Sequence, residues 1–215
     1  MEFKTFVIGF NKTASRSIDA ALYESGLDTV HWDSNNIINT FKANIENGKK
    51  LLTNGVHVHS KRYINGIRYE DIDVFSDITH SKYPVDAKDY YKQLDADYPG
   101  SKFILNIRDV DKWVLSRMHH GDGFILRNHL DYYQLEHDAA GIDRLKSIWR
   151  QTFIDHVNDV NNYFKTRKND LLIFNIEEDK IPKIGDFLGI IIDDKHYKCL
   201  GKTNYNSKPD PLDTV

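Results

Sequence analysis

The chain has 215 residues, of which 40% are hydrophobic and 28% are charged, and its net charge is −3. This size and composition suit one globular domain that buries a core without cross-links, and they exclude a disordered chain. The small negative charge gives no basis for broad binding to nucleic acid or to an anionic membrane, and the single cysteine, Cys199, excludes an internal disulfide. No apolar run reaches the roughly 20 residues of a membrane span, and none resembles a signal peptide. We therefore expect a soluble cytoplasmic protein.

The first third of the chain alternates short apolar runs with amphipathic stretches. The apolar runs predict strands and the stretches between them predict helices, with Gly26 ending the first helix and Ser34 as the N-cap of the second. Residues 48–70 mix glycine, asparagine and basic residues, which indicates a loop with at most an edge strand. The predicted elements are a strand over 3–8, a helix over 13–26, a strand over 29–32 and a helix over 34–47.

The rest of the chain continues the alternation. Residues 102–107 form the clearest interior strand, and Asp109 is placed to cap the helix that follows. The predicted elements are strands over 72–77, 102–107 and 171–175, helices over 86–98, 109–118 and 181–188, and two helices within 126–168. The tail over 193–215 is predicted to be irregular. This pattern predicts an α/β fold in a single domain over 1–215, with a mainly parallel central sheet flanked by helices and ligands at the carboxyl ends of the strands.

The sequence GFNKTASRS, residues 9–17, lies between the first strand and the first helix. It nearly matches the Walker A phosphate-binding loop, but Asn11 stands where that motif has the glycine before its lysine. In this position the backbone N–H groups at the helix start favour an anion, and Lys12 and Arg16 add positive charge. Thr13, Ser15 and Ser17 add three hydroxyl groups. The stretch indicates a phosphate site more than a simple helix cap.

A second stretch, KFILNIRDVDKWVLSR over residues 102–117, ends an interior strand at Arg108. The strand order predicts that Arg108 faces the same sheet edge as Lys12. A guanidinium group matches the oxygen atoms of a phosphate, and Ser116 on the next helix offers a hydroxyl group. The alternative is a surface ion pair between Arg108 and Asp109 or Asp111.

Together the two stretches resemble the sulfotransferases that use 3′-phosphoadenosine 5′-phosphosulfate (PAPS). The first is similar to their 5′-phosphosulfate loop and the second to their 3′-phosphate motif. The order FSDI (residues 75–78), Tyr90-Tyr91 and the run from Tyr98 to Trp113 is similar to that of small proteins of this family. The chain departs from the family pattern at two positions. Ala14 replaces a common glycine, which we expect to be tolerated at a negative φ angle, and Arg16 replaces a common threonine or serine.

The resemblance implies a P-loop-like sulfotransferase fold and a PAPS donor that leaves as 3′,5′-adenosine bisphosphate (PAP), with no metal required. It implies that Lys12 stabilises the leaving nucleotide and that Arg108 and Ser116 bind its 3′-phosphate. The implied donor site comprises Asn11, Lys12, Thr13, Ala14, Ser15, Arg16, Ser17, Arg108 and Ser116, with Lys202 of the tail folding over the nucleotide. The acceptor is an unspecified sugar, phenol, lipid or peptide.

An acceptor hydroxyl also needs a general base. Asp77 ends the strand over 72–77 and is the first candidate, either as the base or as a residue that orients Lys12. His80 is the second candidate and His31, after the second strand, is the third. His119 and His120 either line the acceptor pocket or end a solvated helix.

Two other functions fit parts of the pattern. A P-loop nucleotide kinase, or another NTP-binding phosphotransferase, would use Asp77 to hold Mg²⁺. The missing glycine before Lys12 and the Arg108–Ser116 pair argue against this class. An inactive nucleotide-binding module is the third interpretation, and the intact Lys12 argues against it.

Overall fold

The computed structural model describes residues 3–58 and 61–197. Five strands form one sheet in the order β2-β5-β1-β6-β7, and every neighbouring pair is parallel. A separate two-stranded antiparallel ribbon pairs β3 with β4. The strands are β1 (Thr5–Val7), β2 (Thr29–His31), β3 (Val56–His57), β4 (Ile67–Arg68), β5 (Val74–Ser76), β6 (Lys102–Ile107) and β7 (Leu171–Asn175).

The α-helices lie on both faces of the sheet and beyond its carboxyl edge. They are α1 (Ser15–Glu24), α2 (Asn36–Glu46), α3 (Tyr91–Asp97), α4 (Val110–Met118), α5 (Phe124–Tyr133), α6 (Ala139–Tyr163) and α7 (Pro182–Leu188). The structure confirms an α/β fold with a mainly parallel central sheet flanked by helices.

Alternate residues of the strands point to two separate cores, as the period of two in a strand requires. Phe6 and Phe103 pack with α2, α3 and α6 on one face, whereas Val7 and Ile104 pack with α1 and α7 on the other. A third apolar cluster joins α4, α5 and α6 to Phe10, directly after β1. The central strand β1 is therefore buried on both sides, and the chain leaves it at the carboxyl edge of the sheet.

Several local predictions are confirmed. The strands over 102–107 and 171–175 have the predicted bounds. Asp109 caps α4 by accepting a hydrogen bond from the Lys112 N–H, and Gly26 follows α1 with φ of +93°. Apolar runs bounded by polar residues and turn formers were sufficient for these assignments.

Other predictions are wrong. Ser34 does not cap α2: it has φ of +49° inside a 3₁₀ turn, and the helix begins after Asn35 without a side-chain cap. The helix predicted over 86–98 is broken at Tyr90 into a 3₁₀ turn (Ala87–Asp89) and α3. Residues 48–70, predicted as a loop with at most an edge strand, contain two short strands, β3 and β4, that pair with each other. Each error falls where short-range backbone geometry, not hydrophobic pattern, decides the structure.

Among the helices within residues 3–58 and 61–197, none combines the length and apolar character needed to cross a membrane.

Candidate active site

The loop after β1 passes so close to β6 that only glycine fits at its start. A Cβ atom on Gly9 would lie 2.1 Å from the carbonyl oxygen of Asn106, well inside van der Waals contact. The Gly9 N–H donates to the side-chain oxygen of Asn106 at 2.9 Å. The first glycine of the motif therefore serves a close approach between two adjacent strands.

Asn106 fixes both ends of this loop. Its amide nitrogen donates to the carbonyl oxygen of Thr13 at 2.7 Å and to the Thr13 hydroxyl at 2.6 Å. The same hydroxyl donates to the Phe10 carbonyl. The hydroxyl of Thr13 thus points into the protein, and only its backbone N–H remains for a ligand.

Sequence reasoning assigned no role to Asn106. The sequence did contain a signal of this role. An asparagine inside the apolar run FILNI is buried by its strand and must find polar partners. A second clamp comes from α4, where the indole N–H of Trp113 donates to the Asn11 carbonyl at 2.9 Å. Two fully buried side chains therefore hold the loop in one shape.

Two non-glycine residues of the loop have backbone angles in the left-handed region. Lys12 has φ of +67° and Ala14, the N-cap residue of α1, has φ of +60°. The expectation of a negative φ at Ala14 is wrong, since the chain turns into the helix through a left-handed residue. No side chain caps α1 and its first turn has no acidic residue, so its N–H groups favour an external anion.

Arg108 lies beside this loop, as the strand order predicts. One guanidinium nitrogen donates to the Lys12 carbonyl at 3.3 Å, and the other terminal nitrogen is 3.8 Å from Glu177. The Arg108 Nε atom is buried and, within the described residues, has no hydrogen-bond partner. Glu177 is held more closely by Lys112, at 2.9 Å, and the Asp109 N–H and Lys112 lower its pKa. Arg108 is therefore not paired with Asp109 or Asp111, and it retains a donor for an anion.

The remaining residues of the predicted donor site occupy different environments. Ser116 is 3% exposed in α4, and Ser17 is buried in α1. Arg16 is exposed, and Asn11 is buried with no partner for its side-chain oxygen in the part of the chain that is described. Lys202 lies outside the described residues. The assignment of these residues to a nucleotide site stays a prediction.

A second group of polar side chains meets on the other side of the loop, where β2 and β5 end. The Nε2 atom of His31 is 3.2 Å from the Ser15 hydroxyl and 3.4 Å from an oxygen of Asp77. Both contacts use the same ring nitrogen, so the three residues are not arranged as a serine hydrolase triad, in which the acid contacts the other nitrogen. Asp77 has φ of +52°, and its second oxygen is buried without a partner among the described residues.

His80 is engaged elsewhere. Its Nδ1 atom accepts hydrogen bonds from the backbone N–H groups of Lys82 and Tyr83, and its ring stacks on that of Tyr83 at 4.7 Å. Burial, with the charges of Lys42 and Lys82, lowers the pKa of His80. With Nδ1 occupied, the neutral ring carries its proton on Nε2 and offers no lone pair to an acceptor.

A family model described as a sulfotransferase domain matches residues 4–203. The chain belongs to the sulfotransferase domain family. A search of curated proteins found no match. The sulfotransferase domain is consistent with the observed parallel sheet, and membership in this family supports sulfotransfer activity in general.

Proposed function

We propose that this sulfotransferase domain transfers the sulfuryl group of PAPS to a hydroxyl or amine group of an acceptor. The observation that carries the proposal is the convergence of three anion-binding features at one sheet edge. They are the uncapped N-terminus of α1, Lys12, and Arg108, whose Nε atom has no hydrogen-bond partner among the described residues. A nucleotide that carries one phosphate at each end of its ribose matches two such positions on adjacent strands, β1 and β6.

The donor side of the site comprises residues 9–17, Arg108 and Ser116. In the proposed reaction the backbone N–H groups of the loop and α1 hold the 5′-phosphate, while Arg108 and Ser116 hold the 3′-phosphate. Lys12 stabilises the negative charge that develops on the oxygen that bridges sulfur and phosphorus. Such charge stabilisation by a fixed group is commonly the largest contribution to catalysis.

The acceptor side comprises His31, Asp77, His80 and the adjoining surface beyond β5. The acceptor attacks sulfur from the side opposite the leaving phosphate, so its proton must leave on this side. The sheet order supports this arrangement, since β5 lies next to β1 and β6 lies on the other side of β1.

Ligand-induced thermal stabilisation tests the donor. PAP in the presence of EDTA is compared with ADP and with ATP plus Mg²⁺, each over a concentration series. A ligand at 100 times its dissociation constant stabilises the folded state by about 2.7 kcal/mol, which gives a clear rise in Tm. We expect PAP to stabilise the protein without metal. Stabilisation by ATP with Mg²⁺ alone would refute a PAPS donor and support the nucleotide kinase alternative.

A further inference from the structure

His120 lies on a line of side chains that runs along the phosphate-binding loop. Trp113, Arg117 and His120 are four and three residues apart, so they share one face of α4 and of the turn that continues it. The Arg117 guanidinium lies 5.0 Å from the Trp113 ring and 5.9 Å from the ring of Phe10 in the loop. The His120 N–H donates to the Arg117 carbonyl at 3.1 Å. His120 therefore continues the face of α4 that contacts the phosphate-binding loop at Asn11 and Phe10.

The charged groups that act on His120 include residues of the candidate active site. Burial, together with Lys12, Arg117 and Arg16, lowers its pKa below the ordinary value, while Asp77 raises it. These groups belong to the loop, to α1, to α4 and to the segment after β5. The imidazole is therefore neutral near pH 7, which a base requires, and a carboxylate is close enough to interact with it.

His120 and Asp77 each have one unused buried atom. The Nδ1 atom of His120 and the Oδ1 atom of Asp77 are both buried without a hydrogen-bond partner among the described residues. An Nδ1–H group and a carboxylate oxygen are complementary as hydrogen-bond donor and acceptor. His31 and His80 differ, since each has a ring nitrogen already in a hydrogen bond.

We propose that Asp77 and His120 form a catalytic pair, in which Asp77 orients the Nδ1–H of His120 and the Nε2 atom of His120 removes the acceptor's proton. This inference rests on the proposed function. Neither a hydrogen bond nor an ion pair joins the two described side chains in this structure, so the pair requires a change of side-chain conformation. Catalytic hydrogen bonds are often long before the substrate binds.

The proposed step transfers one proton to His120 and one sulfuryl group to the acceptor. The acceptor O–H bond breaks and its proton passes to Nε2 of His120. The acceptor oxygen forms a bond to sulfur while the bond between sulfur and the 5′-phosphate oxygen breaks, and that oxygen keeps the electron pair. The products are the sulfated acceptor, PAP and a protonated His120, which returns its proton to water.

Two measurements test the pair. The first is the NMR titration of the His120 C2–H signal, identified by its loss in His120→Gln. Since Asp77 raises the pKa of His120, Asp77→Asn should lower it. The second is the release of PAP from PAPS, with water as the acceptor, over a pH series. His120→Gln should lower the rate by roughly 10²–10⁴-fold and remove the acidic limb of the profile. Asp77→Asn should move this limb to lower pH by the shift seen in the titration.

PAP binding by thermal shift is measured for every variant, and it should persist in His120→Gln and in His120→Asn. His137→Gln is the matched control, since His137 is paired with Asp131 outside the site. Full activity with an unchanged acidic limb in both His120 variants would refute the base role. An Asp77→Asn titration identical to that of the wild type would refute the pair. If PAP neither binds to the wild type nor is released from PAPS, the proposed function and the base role both fail, while the titration still decides whether Asp77 and His120 interact.

Discussion

The donor side and the acceptor side of Lys12 are built in different ways. On the donor side, uncharged groups hold the loop: the Asn106 amide, the Thr13 hydroxyl and the Trp113 indole are all buried and all hydrogen-bonded. On the acceptor side, the polar groups are titratable, and two of their buried atoms have no hydrogen-bond partner among the described residues. His31 and Asp77 meet there, and Asp77 and His120 each have a buried atom without a partner in the described part of the chain.

This difference matches the two tasks of a group-transfer site. A donor with constant phosphate groups can be recognised by a fixed backbone, because the positions of its charges do not change. Proton removal needs side chains whose charge can change during the reaction. Four predictions test this difference between a fixed, uncharged loop and titratable side chains.

Among these four, the largest effect should come from Lys12. Lys12→Ala should lower the rate of PAP release from PAPS by roughly 10²–10³-fold and leave PAP affinity within a few-fold, because the charge stabilised by Lys12 develops in the transition state. Arg108→Ala should instead weaken PAP binding by roughly 10–100-fold, as expected for a lost charged hydrogen bond. Single-turnover kinetics and calorimetry measure the two quantities. Lys165→Ala, at an exposed position, is the control. Equal losses of rate and affinity in both variants would contradict the separate roles.

The clamp at Asn106 should matter next. Asn106→Ala leaves the Gly9 N–H and the Thr13 carbonyl buried without their partner, which should lower the free energy of unfolding by about 2–4 kcal/mol. Urea unfolding measures this loss. The control is Asn161→Ala, which removes an exposed side-chain bond in α6 and should change stability by less than about 0.5 kcal/mol. If both variants were equally stable, the donor side would not depend on its buried amide.

Acid should destabilise the fold through His129, which lies in α5. This residue is fully buried and its Nδ1 accepts from the Trp149 indole; burial, with Arg117 and Lys88, lowers its pKa to about 3. The unfolded state therefore binds more protons between about pH 3 and pH 6.5, so stability falls as the pH falls through this window. From pH 7 to pH 5 the loss due to His129 is about 2 kcal/mol.

Urea unfolding at the two pH values measures this dependence in the wild type and in His129→Gln. The variant should lose about 2 kcal/mol less than the wild type over the same interval. His137→Gln serves as the control because His137 is partly exposed in an ion pair. An equal acid loss in the wild type and in His129→Gln would show that other groups cause it.

The smallest effect concerns Ala14. A left-handed conformation costs a residue with a Cβ atom about 1–2 kcal/mol, and glycine avoids this cost but gains freedom when unfolded. Ala14→Gly should therefore raise the free energy of unfolding by roughly 0.5 kcal/mol. Ala20→Gly, inside α1, should lower it by about 1 kcal/mol. A loss of stability in Ala14→Gly similar to that of Ala20→Gly would contradict a strained loop.

The sequence was sufficient to predict the central sheet and the position of Arg108 beside Lys12. Continuous apolar runs identified β6 and β7, and the order of strands and helices predicted that polar residues after the strands would meet at one edge. The backbone at Ala14 and Ser34 was not predictable in the same way. Both residues adopt positive φ angles that only glycine, and less often asparagine, signals in a sequence.

The contacts within the site depended on tertiary structure. Thr13 looked like a ligand-binding hydroxyl, but its side chain is taken by Asn106, which lies 93 residues further on. His80 follows Asp77 closely in the sequence, yet its ring is bound by the turn at Lys82 and Tyr83. His120 is 43 residues from Asp77, and only the packing of α4 on the loop places it among the charges of the site.

The pairing order β5-β1-β6 gives the site a one-dimensional layout. Adjacent strands are spaced by about 4.8 Å, so the chain segments that carry Asp77, Lys12 and Arg108 leave the sheet in a row about 10 Å long. In the proposed reaction this row orders proton removal, charge stabilisation and nucleotide anchoring. In that reaction, changes in β2 and β5 would alter the choice of acceptor while the anchoring end stays constant, so the proposal predicts that one half of the sheet diversifies independently of the other.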